Sequence, residues 1–211
     1  MLETAPLRVG VLASGGGTNL QAVIDAVDRG EVPAQIVTVV SNNKSAYALE
    51  RARMHGIPDK WLPRKRFIGP GAYEAAIIEH FNAYKVDLIL TAGFMVILDE
   101  SFTNAFPNRV MNIHPALIPS FCGHGFYGLH VHEAVLATGV KVTGATVHFV
   151  TKEADAGPII IQKPVCVHDD DTPETLQKRV MEEAEWVILP EAVRLFAEGK
   201  LSVRDGRVLI Q

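Results

Sequence analysis

Residues 7–27, LRVGVLASGGGTNLQAVIDAV, give the clearest indication of the fold of this 211-residue chain. The apolar run Leu7–Leu12 predicts a buried β-strand, and from Leu20 onward apolar residues recur at i, i+3, i+4 and i+7, the spacing of one helical face. Gly15–Gly17 join the two elements. A strand, a glycine-rich loop and a helix in this order favour a phosphate site, because a helix N-terminus offers free N–H groups and a partial positive charge.

The residues of this loop indicate which class of phosphate-containing ligand it would bind. A dinucleotide-binding fingerprint needs a third glycine where Leu20 stands, and a P-loop needs a lysine that the loop lacks. The loop therefore favours a monophosphate site, with Thr18 or Asn19 as helix cap and ligand. The alternative is a turn whose glycines serve only its backbone angles.

Further strands are predicted along the chain. Ile36–Val40 and Asp87–Thr91 are buried apolar runs with helices between them, and Lys141–Val150 alternates like a half-buried strand. An Asp-Gly pair at 205–206 predicts a C-terminal hairpin. The fold class is therefore α/β: a Rossmann-like, open, mostly parallel twisted sheet with helices on both faces and an antiparallel extension toward the C-terminus.

The last long helix has a predicted start and a predicted interruption. Asp171 with Glu174 resembles a capping box, and Pro173 falls in the first turn. Pro190 is expected to kink or divide the helix, which ends at Gly199.

Composition excludes several classes of function. The chain is 48% hydrophobic with a net charge of −4 and both signs interspersed, which leaves no basic surface for nucleic acid. No apolar run approaches the roughly 20 residues that span a bilayer, and Met1–Pro6 lacks the pattern of a signal peptide. Cys122 and Cys166 make neither a disulfide framework nor a metal-binding pair. We expect one cytoplasmic domain, residues 1–211, without nucleic-acid or membrane partners.

A second stretch, Val110–Pro115 (VMNIHP), carries polar side chains on a predicted strand. Asn112 and His114 are two residues apart and share one face, and Pro115 ends the ladder because it has no N–H to donate. The pair therefore falls at the carboxyl end of a strand, where open α/β sheets bind ligands. The amide can donate to an oxyanion, and the imidazole can move a proton near neutral pH. From these six residues alone, however, a core histidine bonded to backbone beside an edge asparagine is favoured over a catalytic pair.

The sequence pattern alone leaves the roles of several other residues undecided. Ala92–Leu98 (AGFMVIL) runs apolar past a strand end, which fits core or the wall of a pocket, and periodicity favours core. Asp155 lies in a turn between strands, where aspartate commonly bonds its own backbone. His130 and His132 have no third ligand at suitable spacing, so helix capping or packing is favoured over metal binding.

Taken together, these stretches resemble the phosphoribosylglycinamide formyltransferases, the folate-dependent enzymes of purine synthesis. The resemblance covers nearly the whole chain, and an Asn-x-His-Pro joined to a later Asp-x-Gly-Pro is very specific. The landmarks, in the order of the family, are SGGGTNLQ from Ser14, SNNKSAYALERA from Ser41, AGFMVIL from Ala92, NIHPALIPSF from Asn112, GATVHFV from Gly144, DAGPII from Asp155 and a helix that carries Glu185.

The resemblance implies roles for particular residues. The catalytic trio is matched by Asn112, His114 and Asp155. The ribonucleotide is expected at Gly17, Thr18, Asn19 and Glu185. This makes AGFMVIL a pocket wall rather than core, because the pterin of 10-formyltetrahydrofolate is expected at Met95, Val96, Ile97, Leu98, Asn112, Thr151, Lys152, Glu153, Ala154 and Asp155.

The implied reaction is a direct transfer. The glycinamide amine attacks the formyl carbon, Asn112 and a protonated His114 donate to the oxyanion, and Asp155 raises the pKa of His114. Since the amine is the nucleophile, neither a covalent intermediate nor a metal is expected, and 10-formyltetrahydrofolate is the co-substrate. The expected partners are small-molecule substrates, and the sequence leaves undecided whether the chain forms a homodimer.

Other functions remain as alternatives. A formyltetrahydrofolate hydrolase shares the Asn/His/Asp trio but normally carries an extra N-terminal domain, for which a first strand at Leu7 leaves no room. A methionyl-tRNA formyltransferase would add an RNA-binding domain and a basic surface. A non-catalytic nucleotide-binding module would need only the glycine loop.

The chain departs from the usual family pattern at four places, two of which are Val96, where arginine is common, and Trp186, where histidine is common. Pro70 stands where many members carry a basic residue, so a contact to the folate tail would fall to Arg64 or Arg66. Cys122–Tyr127 looks like an insertion. It either closes over the substrate site and limits water, or packs on the surface or on a second subunit.

Overall fold

The computed structural model describes residues 5–211, so residues 1–4, the start of the segment considered for a signal peptide, lie outside the described range. Within it the strands are Leu7–Leu12 (β1), Ala34–Ser41 (β2), Asp59–Trp61 (β3), Leu88–Thr91 (β4), Val110–His114 (β5), Val142–Phe149 (β6), Ile159–Cys166 (β7), Leu201–Arg204 (β8) and Arg207–Ile210 (β9). The α-helices are Thr18–Asp28 (α1), Tyr47–Met54 (α2), Ala72–Ala83 (α3), Glu100–Ala105 (α4), Leu129–Thr138 (α5), Pro173–Val180 (α6) and Trp186–Ala197 (α7).

Seven strands form one sheet in the order β3-β2-β1-β4-β5-β6-β7. Neighbours from β3 through β5 are parallel, whereas β6 pairs antiparallel with both β5 and β7. The strands β8 and β9 form a separate hairpin around the Asp205-Gly206 turn. The predicted Rossmann-like, mostly parallel sheet with an antiparallel extension is confirmed.

The core lies on both faces of the sheet, because alternate residues of a buried strand point to opposite sides. Along β4, Leu88 and Leu90 pack in one cluster with α1, α2 and α7, whereas Ile89 packs in the other with α3 and α4. All of β4 is buried, which explains why its sequence is a continuous apolar run.

The strand order reverses at the centre of the sheet. From β1 the chain proceeds outward to β2 and β3, and then returns to β4 on the other side of β1. Ligands of open α/β sheets bind at such a switch point, outside the carboxyl ends of the strands. The loops that follow β1, β4 and β5 therefore meet at one edge.

The predicted capping box of the last long helix is shifted by one residue. Thr172 and Thr175 cap each other, with each hydroxyl accepting from the partner's backbone N–H, at 3.3 and 2.9 Å. Asp171 does not cap a helix N–H: its carboxylate pairs with Arg179 at 2.6 Å and accepts from the His168 N–H and the Thr175 hydroxyl.

Pro190 does not divide this helix, and a kink at Pro190 stays a prediction. The helical run changes to a π turn at Met181–Glu185, and Pro190 lies inside α7. Because α7 begins at Trp186, the proline removes only the bond that would reach the Trp186 carbonyl, in the first turn. Single π turns are frequent at functional sites, and this one ends on Glu185.

Two short elements were not anticipated. The edge strand β3 has only three residues, too few for a pattern to show. The helix α4 has six residues and begins after Asp99, whose carboxylate accepts from the Ser101 N–H at 2.9 Å. The sequence Asp99-Glu100-Ser101 contains the signal for this cap, because aspartate is a preferred N-cap residue.

Candidate active site

The amide of Asn112 is held in one orientation at the end of β5. Its Oδ1 accepts from the Thr91 hydroxyl at 2.7 Å, and its Nδ2 lies 3.4 Å from Oδ1 of Asp155. Because a carboxylate can only accept, the NH₂ side faces Asp155. The same Nδ2 lies 3.2 Å from Nε2 of His148, whose Nδ1 donates to the Phe149 carbonyl at 2.9 Å. Asn112 therefore presents N–H groups to its surroundings.

The imidazole of His114 is buried beside Asp155. Its Nε2 lies 2.8 Å from the Phe121 carbonyl, which can only accept, so Nε2 carries a proton. Its Nδ1 lies 3.6 Å from Oδ2 of Asp155. Burial lowers the pKa of His114 below its ordinary value, and Asp155 only partly offsets this. As predicted, the charge of Asp155 favours a higher pKa for His114. The net pKa is nevertheless lowered, because the effect of desolvation is larger than the effect of Asp155.

Asp155 is fixed by an unusual backbone conformation. Its φ is 54°, in the left-handed region that aspartate tolerates better than most residues. Oδ2 accepts from the Gly123 N–H at 2.9 Å. Burial raises the pKa of Asp155, but contacts with His148, His114 and Gly123 outweigh it, so the net pKa is lowered and the carboxylate is ionised.

Gly157 permits the close approach that closes this turn. A Cβ there would lie 1.7 Å from the Phe149 carbonyl oxygen, so no larger residue fits without moving the backbone. The Phe149 N–H in turn donates to the Pro158 carbonyl at 2.9 Å. The glycine of the Asp-x-Gly-Pro motif thus sets where Asp155 lies.

These side chains open onto one cavity of about 380 Å³. Asn112, His114 and Asp155 line it together with residues 93–97 and 123–128. Met95 and Ile97 are each 56% exposed, so the AGFMVIL run forms pocket wall rather than core along most of its length, although Leu98 is buried. Residues 151–155 line an adjoining cavity of about 130 Å³ with Val96–Leu98 and Asn112.

The Cys122–Tyr127 segment lies beside this cavity. Residues 123–127 line it, and Phe126 packs edge-on against Phe121 with ring centroids 6.3 Å apart. Its backbone also holds the site, since Gly123 donates to Asp155. The segment is therefore placed as a lid requires, and its effect on water stays a prediction.

The N-terminus of α1, which follows the glycine loop, is capped differently from the prediction. Gly17, with φ 69°, is the N-cap of α1, and neither Thr18 nor Asn19 caps the helix. A Cβ at Gly17 would lie 2.8 Å from the Cα of Ala48 on α2, so glycine is required by both its angles and the close packing of α2. The side chain of Asn19 is used elsewhere: its Nδ2 donates to Oε2 of Glu185.

Glu185 is a buried carboxyl group at the far side of this loop. Burial raises its pKa to about 7, and the hydrogen bond from Asn19 opposes that rise. Within residues 5–211, Oδ1 of Asn19 is buried without a hydrogen-bond partner. Buried polar atoms are normally paired, so this atom fits a donor from a bound ligand.

Ser14 connects the two halves of the site and was not singled out from the sequence. Its hydroxyl donates to Oδ1 of Asn42 at 2.6 Å and accepts from the Met95 N–H at 2.9 Å. Its own N–H donates to the Gly93 carbonyl at 3.0 Å. The glycine loop and the pocket wall are therefore joined through one side chain. The available signal was Asn42, a polar residue directly after a buried strand.

The two histidines of α5 do not form a pair. His132 is buried, whereas His130 is exposed and lies 3.0 Å from Glu133. Burial lowers the pKa of His132 to about 4. Over residues 5–211, no group of three or more His, Cys, Asp or Glu side chains has the geometry of a metal site. No helix of that range is long and apolar enough to cross a membrane.

The chain is similar to known proteins along nearly its whole length. Residues 7–193 match the family model described as formyl transferase. The phosphoribosylglycinamide formyltransferases of Haemophilus influenzae and Escherichia coli are 38% and 37% identical to the chain, over 94% and 95% of it and 91% and 92% of their own lengths.

Solved structures show the same relationship. Glycinamide ribonucleotide transformylase 1 from Symbiobacterium toebii superposes with a TM-score of 0.93 at 44% identity, covering 99% of this chain and 95% of that one. A formyltetrahydrofolate deformylase from Pseudomonas syringae is more distant, at 28% identity with a TM-score of 0.85, and the chain spans 97% of its own length and 66% of that protein. The chain therefore belongs to the formyl transferase family and, within it, to the phosphoribosylglycinamide formyltransferases.

Proposed function

We propose that this chain transfers the formyl group of 10-formyltetrahydrofolate to the amine of glycinamide ribonucleotide, a step of de novo purine biosynthesis. One observation carries the proposal: an amide donor, a buried imidazole and an ionised carboxylate line a single cavity at the switch point of the sheet. This is the set of groups that acyl transfer to an amine requires.

The two substrates have separate places around that cavity. The folate lies against Met95–Leu98 and the turn at 151–155, which line the two adjoining cavities. The phosphate of the ribonucleotide lies at the N-terminus of α1, on Gly17, Thr18 and Asn19. Glu185 accepts from a sugar hydroxyl, and Oδ1 of Asn19, which has no partner among residues 5–211, supplies a second acceptor.

Asn112 stabilises the charge that develops on the formyl oxygen. The attacking amine adds to the formyl carbon, and the carbonyl oxygen becomes an oxyanion that the N–H of Asn112 can reach from its fixed orientation. The bond from the formyl carbon to the folate nitrogen then breaks. One proton must leave the amine, and one must reach the departing nitrogen.

His114 moves that proton. Burial lowers the pKa of His114, so the ring is mainly neutral near pH 7, with its proton on Nε2 and an unprotonated Nδ1 beside Asp155. Nδ1 takes the proton of the amine, and the imidazolium that forms is stabilised by the carboxylate 3.6 Å away. The same proton then passes to the folate nitrogen, which restores the neutral ring.

The distal part of the folate is assigned to Arg64. This residue lines a cavity of about 350 Å³ with Ile97 and Leu98, which continues the pocket wall. Arg66 instead lies over the ring of Trp61, at 4.6 Å from its centroid. The chain is further proposed to act as one formyltransferase domain over residues 1–211, while a homodimer and a cytoplasmic location stay predictions.

A direct assay tests the proposal. Purified protein is mixed with both substrates, and the change in folate absorbance is followed together with formate release. Formylation of the ribonucleotide with little formate is the expected result. Formate release at an equal rate without the amine would instead assign the deformylase reaction, and no turnover with either would leave a binding module.

A further inference from the structure

Arg51 on α2 is bonded directly to the glycine loop. Its Nε donates to the Gly16 carbonyl at 2.9 Å, and one turn earlier the Ala48 N–H donates to the Gly15 carbonyl at 3.1 Å. Two successive loop carbonyls are thus held toward α2. In a planar trans peptide the following N–H points the opposite way, so the N–H groups of Gly16 and Gly17 point away from α2. Neither has an acceptor within residues 5–211.

The guanidinium of Arg51 also brings a positive charge to the glycine loop. The loop has no lysine, yet a phosphate monoester carries up to two negative charges near neutral pH. In the described part of the chain Arg51 has no ion-pair partner, whereas Arg29 on the same cavity pairs with Glu31 at 2.7 Å. The Nη1 of Arg51 donates to Oε1 of Gln21 at 2.9 Å, and Nη2 has no acceptor among residues 5–211.

The position of this guanidinium is fixed. Its central carbon lies 5.0 Å from the ring centroid of Tyr47, and with Thr18, Gln21 and Trp186 it lines a cavity of about 350 Å³ beside the loop. Asp25 also lines that cavity, but it accepts from Nε2 of Gln21 at 2.8 Å. A rigid guanidinium with free N–H groups is suited to phosphate oxygens.

We propose that Arg51 is the residue that makes the enzyme select a phosphorylated substrate over the corresponding nucleoside. It does so in two ways: it aims the loop N–H groups, and it supplies the positive charge that the loop lacks. The proposal rests on the proposed function, because it concerns the phosphate of glycinamide ribonucleotide. It assigns no part of the chemistry at the formyl group to Arg51.

The test compares two substrates in three proteins. Formylation of glycinamide ribonucleotide and of its dephosphorylated nucleoside is measured in wild type, Arg51→Gln and Arg53→Gln. Arg53 is a matched control, since it is two residues away on α2 and pairs with Asp59 and Glu50. Arg51→Gln should lower kcat/KM for the ribonucleotide about 10-fold or more, because the loop loses both a nearby positive charge and the side-chain bond to the Gly16 carbonyl that orients its N–H groups. It should leave kcat/KM for the nucleoside and KM for the folate unchanged.

Partial recovery of selectivity in Arg51→Lys, which restores the charge without the fork of donors, would support the proposal. An equal fall for both substrates in Arg51→Gln would overturn it, as would wild-type selectivity. Because either variant can fold poorly, thermal unfolding with and without inorganic phosphate gives a second readout. Phosphate should raise the midpoint of wild type and Arg53→Gln but not of Arg51→Gln. That readout does not need turnover, so it separates failure of this proposal from failure of the proposed function.

Discussion

Oδ2 of Asp155 lies 3.6 Å from Nδ1 of His114, and this contact is the main influence that opposes the effect of burial on the imidazole. The carboxylate favours the protonated ring, whereas desolvation favours the neutral ring and is larger. The contact is too long for a direct hydrogen bond, so it acts through charge. Asp155 therefore stabilises the imidazolium that forms during transfer without holding it protonated at rest.

Asp155→Asn should move the acidic limb of the pH–rate profile to lower pH. Activity that requires neutral His114 is lost as pH falls through its pKa, and removal of the carboxylate lowers that pKa further. The maximal rate should fall as well, because the imidazolium loses its counter-charge. Asparagine tolerates the left-handed backbone of position 155, so the turn is retained. The profile of kcat and the NMR titration of the His114 ring give the answer, and an unshifted limb would reduce Asp155 to a turn residue.

Glu185→Gln should flatten the dependence of stability on pH. The folded-state pKa of Glu185 is raised to about 7, so the folded protein binds this proton more tightly than the unfolded chain does. The stabilisation is present at low pH and is lost as pH rises through about 7, by roughly 3 kcal/mol for a shift of this size. Urea unfolding at several pH values measures it. The idea fails if wild type and variant lose stability in parallel as pH rises.

Ser14→Ala should weaken binding of the folate more than binding of the ribonucleotide. The variant removes the acceptor of the Met95 N–H and the donor to Asn42, while the backbone bond from Ser14 to Gly93 stays. Leaving this part-buried N–H without its partner costs about 1–3 kcal/mol, and a cost of that size in the folate-binding arrangement of the segment raises the folate KM roughly 5- to 150-fold. Steady-state kinetics with each substrate varied in turn measures the split. Equal rises in both KM values would mean that the whole edge of the sheet had loosened.

Replacing both Phe126 and Tyr127 by Ala should raise the ratio of formyl hydrolysis to transfer. Both residues line the cavity of the trio, and their rings exclude water from the formyl donor if the segment closes over it. Formate release without the amine substrate is the measurement. If hydrolysis is unchanged while light scattering shows a smaller particle, the segment is a subunit contact instead.

The sequence predicts the sheet and the Asn112–His114 pair because both rest on local rules. A period of two places the pair on one face, and Pro115 marks the strand end. Asp155 needed the family resemblance, since its position depends on a left-handed residue and on the close approach at Gly157. The predicted cap of α1 was wrong because α2 packs closely against Gly17, and this contact joins residues that are distant in the sequence.

Contacts between distant segments account for what could not be predicted. Ser14 bonds Met95, and Arg51 bonds Gly16, across 81 and 35 residues of chain. The net direction of the His114 pKa was also missed, because it depends on how much water the folded cavity excludes. The sequence pattern identifies which groups can react, whereas burial in the folded protein determines their protonation state.

His114→Ala removes the imidazole that moves the proton during formyl transfer. Rates are measured with saturating 10-formyltetrahydrofolate and glycinamide ribonucleotide, by the change in folate absorbance, alongside binding of the ribonucleotide by calorimetry. We expect kcat to fall about 100- to 10,000-fold, the usual contribution of general acid–base catalysis, with ribonucleotide affinity nearly unchanged. A kcat close to that of wild type in a correctly folded variant would contradict this role of His114.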